Sequence, residues 1–233
     1  MADPVGRRNL CRLLAWLSPA FPTGAFSYSH GLEAAAESGV VHDRGSLRNW
    51  IGAVLISGSG RIDADILRDA HRAAVEDDIE ALMRANLRGV AFRATAEMAL
   101  ETTAQGAAFL ATCRTAWPEP LLDRWAAMLD EGGRAVCYAA SVGAATARAG
   151  IPLGLALTGY LQAMVANLVS AGLRLGIIGQ TDGQRIVAAL EPVIGAAVAG
   201  ALQRQPSQFG SASFAVELAS MAHETQYSRL FRS

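Results

Sequence analysis

Lysine is absent from this chain: all 20 residues in its Lys+Arg count are arginines, set against 21 Asp+Glu. A P-loop places a lysine beside the β- and γ-phosphates of a nucleotide, and Schiff-base chemistry needs an amine to attack a carbonyl. Both are excluded. Cysteine is scarce as well, with Cys11, Cys113 and Cys137 far apart and no C-x-x-C pair. Three scattered thiols suit a reducing compartment and do not build a disulfide framework. Charged residues make up only 18% of the chain, with a net charge of -1, and no basic block exists to attract a phosphate backbone or an anionic membrane. Nucleic acid is therefore not an expected partner. Near the start, Arg7, Arg8 and Asn9 lead into an amphipathic stretch without a small-residue cleavage pattern, so no signal peptide is expected.

What the chain does have is apolar content, 52% over 233 residues, enough for one sizeable core. Residues 149–173 carry no charge and at ~1.5 Å per residue could cross a bilayer. Pro152, Thr158, Gln162 and Asn167 interrupt that stretch, and Glu191 and Pro192 break the next apolar run. The reading is a buried core helix, not a membrane span.

Helical periodicity dominates. Leu10, Leu13, Leu14 and Leu17 follow an i, i+3, i+4, i+7 pattern that stops at Ser18 and Pro19. Ser46 is the expected N-cap of a helix with Leu47, Trp50, Ile51, Val54 and Leu55 on one face, ended by Gly58 and Gly60. Further helices are expected near 62–74, from the Asp77/Glu80 capping pair to Gly89, at 93–112, and from Leu121 to Gly132. Three Ala/Gly-rich helices follow near 134–149, 152–175 and 182–203, then a last short one at 213–223. The prediction is an all-α, single-domain bundle of about eight to ten helices with a C-terminal tail: 1–222 as the helical body and 223–233 as the tail.

A search for chemistry finds little. His223-Glu224 begins an H-E-x-x-H zinc motif, but Tyr227 stands where the second histidine is required. His30, His42 and His71 show no ligand spacing, and Asp63 takes the third glycine position after Gly58-x-Gly60. There is no G-x-S-x-G elbow. Asp77-Asp78 reads as a helix cap. No catalytic residue, metal site or cofactor is expected. A small helical metal-dependent hydrolase with an unrecognised site is the alternative.

Three segments exceed what packing asks for. Residues 18–33 carry Pro19, Pro22, Phe21, Phe26 and Tyr28 in one loop, either a rigid apolar surface with polar handles or an ordered inter-helix loop tucked into the core. Residues 176–184 form a glycine-flanked turn with Gln180 and Gln184. The last residues, 223–233, combine Tyr227, Leu230 and Phe231 with Arg229 and Arg232, the mix found at interface anchors and in segments that order on a partner.

Residues 18–33 resemble the S-P-x-[FL]-P-x-G-x-F-S-Y-S-x-G-[LE]-E stretch of the UreF family of urease accessory proteins. Residues 179–184 resemble its G-Q-T-x-G-Q turn, and 223–233 its closing H-E-x-Q-Y-S-R-L-F-x-S signature. The chain departs from the family at Ile177-Ile178, where a proline is usual, at 134–137, and at 94–98. The resemblance implies a cytoplasmic, all-helical homodimer, a non-enzymatic scaffold and GTPase regulator. Its expected partners are UreD (UreH), the GTPase UreG and apo-urease, and the assembly delivers nickel. The tail residues His223, Glu224, Tyr227, Arg229, Leu230 and Phe231 are expected on the UreD side. Ser27, Tyr28, His30 and Glu33, with Gln180, Asp182 and Gln184, are expected in a UreG-facing or dimer region.

Overall fold

Apolar spacing at helical period becomes helix throughout the described residues. The computed structural model describes residues 4–232; residues 1–3 of the expected body and Ser233 of the expected tail lie outside the described residues. Eleven α-helices follow one another with no strand among the described residues. They are α1 (Pro4–Trp16), α2 (Leu32–Glu37), α3 (Arg44–Ser57), α4 (Ser59–Val75), α5 (Ile79–Ala91) and α6 (Ala96–Ala116). Then come α7 (Pro120–Glu131), α8 (Tyr138–Arg148), α9 (Leu153–Arg174), α10 (Gln180–Gln203) and α11 (Phe214–Glu224). Short 3-10 turns lie at Ala25–Ser27 and Pro206–Gln208. Ten of the helices answer to those expected; the eleventh is the six-residue α2, too short to leave a periodic trace.

The bundle is built around α4, which packs against α3, α5, α8, α9 and α10. Its apolar residues Ile62, Ala64, Ile66, Leu67, Ala70, Ala73 and Ala74 are all buried, and so are Asp63, Asp65, Arg68 and His71. The α4–α8 crossing is close because Gly143 lacks a side chain: a Cβ there would lie 2.5 Å from the Leu67 carbonyl. At the far end, Asp65 Oδ1 receives Arg204 at 2.6 Å and Arg68 at 3.2 Å, tying α4 to the end of α10.

Several local expectations shift. Asp43, not Ser46, is the N-cap of α3; Ser46 is the reciprocal partner three residues on, completing a capping box. Gly60 does not end α3 but sits in the first turn of α4, where a Cβ would meet Leu55 Cα at 2.9 Å. On α1 the buried face is Asn9, Leu13 and Trp16, while Leu10 and Leu14 are exposed. Residues 134–137 are not helical, because Asn86 holds them extended, donating to Ala135 O and accepting from Cys137 N. Finally, α10 runs unbroken through Pro192, which lies on its exposed side. Both α9 and α10 are thus long and apolar enough to span a membrane by length and composition. Yet α9 turns Tyr160 and Asn167 inward, onto Asp63 and the Tyr28 carbonyl.

Candidate functional site

The opening loop and the chain end meet in one place. His223, fully buried on α11, sits between two carboxylates, Nδ1 at 2.8 Å from Glu97 Oε2 and Nε2 at 3.1 Å from Glu33 Oε2. With an acceptor facing each nitrogen, a ring that donates from both satisfies the geometry. Glu97 also accepts from Arg229 Nη1 at 2.9 Å. Glu33 also accepts the backbone N–H groups of Leu230, at 2.7 Å, and Phe231, at 2.9 Å. Two carboxylates thus face the His223 ring and the Arg229 guanidinium, and the chain end is pinned through its backbone. Arg232 N–H extends the attachment by donating to Ser27 O at 2.7 Å.

Packing reinforces this latch. Phe231 is 4% exposed, and the Arg174 guanidinium lies 4.3 Å from its ring centroid. The same arginine donates to Phe26 O in the 3-10 turn. Gly31 enters α2 at φ +72°, and a Cβ on it would come within 2.7 Å of the Ser220 amide, so α11 rests directly on this turn. Thr95 caps α6 while its hydroxyl meets Ser220 Oγ at 2.8 Å, and Glu224 accepts the Ala96 N–H. Helices α6 and α11, both against the opening loop, therefore form one frame for the tail.

Behind the latch is a cavity of about 160 Å³. His30, in a left-handed conformation at φ 55°, places Nδ1 3.1 Å from Glu101 Oε2. That is an ion-pair separation without an aligned hydrogen bond. Burial opposes the imidazolium charge, but Glu101, with help from Asp63, outweighs it and raises the His30 pKa above its ordinary value. Across the cavity Asp63 pairs with Arg93 at 2.7 Å and accepts the Tyr160 hydroxyl at 2.8 Å. Burial, then the Asp63 charge, pushes the Tyr138 and Tyr160 hydroxyls up. The charged groups here face one another, an arrangement that fixes the shape of the cavity. Among the described residues, no group of three or more His, Cys, Asp or Glu could hold a metal ion.

Of the expected docking residues, Tyr28, His30, Glu33, His223 and Phe231 are interior. Tyr227, at 105% relative exposure, and Leu230, at 62%, stand outward, with Arg229 and Glu224 beside them at the surface. The tail was read as a segment that orders on a partner, but here it has a seat on its own chain. Gln180, Asp182 and Gln184 open α10 apart from the latch; Asp182 pairs with Arg44 and Arg185. Sequence reasoning missed Glu97, Glu101 and Gln105, although their i, i+4, i+8 spacing puts three polar residues on one face of α6, all buried.

Comparison with known proteins gives a consistent picture. The UreF family model matches residues 41–191, a range that contains the 179–184 turn and omits the opening loop and tail. Whole-chain similarity covers both. The urease accessory protein UreF of Bradyrhizobium sp. (strain ORS 278) is 49% identical over 224 residues, 96% of this chain and 92% of that protein. That of Rhodopseudomonas palustris (strain BisB5) is 48% identical over 225 residues, 97% of this chain and 91% of that protein. That of Azorhizobium caulinodans is 44% identical over 233 residues, 100% of this chain and 99% of that protein.

Proposed function

The chain belongs to the UreF family of urease accessory proteins, and from that membership we propose that it is a docking scaffold with no catalysis of its own. In this reading it works in the cytoplasm with UreD and the GTPase UreG, coupling nucleotide turnover on UreG to delivery of nickel, the cargo, to apo-urease. The GTPase supplies the P-loop lysine that this chain does not contain.

One observation carries the reading. The tail is held from inside by Glu33, Glu97 and His223, so that Tyr227 and Leu230 face outward on a fixed backbone. A pre-ordered aromatic and aliphatic pair costs less entropy to bind than a free chain end. Helix α11 extends this surface with Phe214, Leu218 and Met221, an exposed i, i+4, i+7 stripe, and α6, which packs on α11, exposes Leu100. We assign this surface to UreD: Tyr227, Arg229, Leu230 and Glu224 as contacts, His223 and Phe231 as the residues that hold them. In the same reading 1–222 is the body and 223–233 the docking tail. Helix α11 runs past that division to Glu224, so the tail leaves the last helix at Thr225.

Ser27, Tyr28, His30 and Glu33, together with the Gln180, Asp182 and Gln184 turn, are assigned to the UreG-facing or dimer region. Here Glu33 acts through the tail it pins. The outer face of α10 offers small residues, Ala188, Ala189, Gly195, Ala196 and Ala199, which suit a close two-fold contact between copies.

Truncation after Ala222, followed by co-purification with UreD, tests the tail as a whole, and binding that survives it removes the tail from the mechanism. Because truncation also strips His223 from the interior, Tyr227→Ala and Leu230→Asp are the sharper variants. Metal-dependent hydrolysis by the isolated chain would favour the hydrolase reading instead.

A further inference from the structure

The cavity of about 160 Å³ behind the latch is lined by more than its charged pairs. Leu17, Met98, Met164 and Leu168 supply apolar wall, and exposed Phe26 of the opening loop stands at its rim. Two aromatic rings complete the lining, Tyr138 and Tyr160, 5.4 Å apart between centroids. For comparison, an apolar cavity of about 150 Å³ accommodates benzene. Methionine sulfur also packs favourably at the edge of an aromatic ring. Size and lining together suit a single ring.

The charges on the wall are already taken. Glu101 faces His30, and Asp63 meets Arg93 and the Tyr160 hydroxyl, so neither carboxylate is left for a cation and Arg93 is not left for an anion. Two polar atoms do lack a partner. His30, 8% exposed, turns Nδ1 to Glu101, and no hydrogen bond reaches its Nε2 among the described residues. The Tyr138 hydroxyl has none either. Unlike His30 Nδ1, neither atom is sealed from solvent. The Asp63 charge acts on both groups, which gathers them at one end of the cavity. A hydroxyl both donates and accepts, so it satisfies this pair whether or not Nε2 carries a proton.

We infer that this cavity binds a neutral, ring-sized molecule of the phenol class, with its hydroxyl at His30 Nε2 and the Tyr138 hydroxyl and its ring against Met98 and Met164. The site goes beyond the docking reading and does not depend on it.

Phenol is the probe, with benzene and benzoate as controls, titrated into the full chain labelled at its methionine methyl groups. The chain has 6 methionines, and the Met98 and Met164 signals of a carbon–proton correlation spectrum are assigned from Met98→Leu and Met164→Leu. Phenol is expected to move those two signals saturably, with a Kd on the order of 1 mM, and to leave methionines away from the cavity in place. Benzene lacks the hydroxyl and benzoate brings an unpaired charge; both are expected to bind at least about tenfold more weakly. Tyr138→Phe keeps the ring contacts to Phe109 and Tyr160. It is expected to weaken phenol by about three- to tenfold, with preserved spectral dispersion showing that the variant folds. Met98 and Met164 signals that phenol leaves in place overturn the inference. So does benzene binding as tightly as phenol, and so does phenol binding unchanged in Tyr138→Phe.

Discussion

Glu33→Gln is the most informative single change, because it alters one atom in the group that holds the tail. The wild-type carboxylate receives three donors: His223 Nε2, Leu230 N and Phe231 N. A glutamine amide has one acceptor oxygen. If that oxygen takes the Oε2 position, it can serve His223 and Phe231, and its NH2 then faces the Leu230 N–H. The opposite orientation leaves two donors against the NH2. The loss is at least one charge-assisted bond plus weakening of the others, about 2–4 kcal/mol in the latch. The tail can release without unfolding the bundle, so its own stability caps this loss, and global stability falls by less. Amide hydrogen exchange followed by mass spectrometry reads the effect directly. Exchange at Leu230 and Phe231 is expected to accelerate by about 30- to 1000-fold, with amides in α4 and α8 unchanged. Unchanged exchange at the tail would refute the latch. Equal loss of protection across α4 and α8 would refute its independence from the body.

Other variants probe the frame. Gly143→Ala should lower the melting temperature by about 5–10 °C: alanine's helical advantage of about 1 kcal/mol is smaller than the penalty for a Cβ 2.5 Å from the Leu67 carbonyl. Asp63→Asn should destabilise by about 3–5 kcal/mol in chemical denaturation, since it leaves the buried Arg93 charge without its carboxylate. The raised His30 pKa means that the folded state holds its proton more tightly than the unfolded chain. The stability it supplies is therefore complete below the ordinary histidine value of 6.5. It is lost as pH rises from there through the folded value. Glu101→Gln should flatten that part of the stability–pH curve, and a parallel curve would contradict the pairing.

The helices were legible because packing and local sequence agree. In α3 the stripe Leu47, Trp50, Ile51, Val54 and Leu55 is buried as its spacing requires. In α7, Leu121, Leu122, Trp125 and Leu129 behave the same way. Periodicity failed where a tertiary partner overrode it. On α1 the hydrogen bond from Asn9 to Gly150 O and the packing of Leu13 and Leu17 on Gly159 turn Leu10 and Leu14 outward. At 134–137 the side chain of Asn86 replaces helical hydrogen bonds.

The candidate site was legible only in pieces. Its two motifs stood out by composition, but nothing local connects Glu33 to His223, 190 residues away. Whether a motif residue lies inside or at the surface is likewise a matter of tertiary burial. Tyr227 and Phe231, four residues apart in the same motif, lie on opposite sides of that line.

The affinity for purified UreD of the chain carrying Tyr227→Ala and Leu230→Asp, measured by calorimetry beside the unaltered chain, tests the docking claim most directly. A weakening of about 30-fold or more, with the melting temperature unchanged, is the predicted result. An affinity equal to that of the unaltered chain would contradict it.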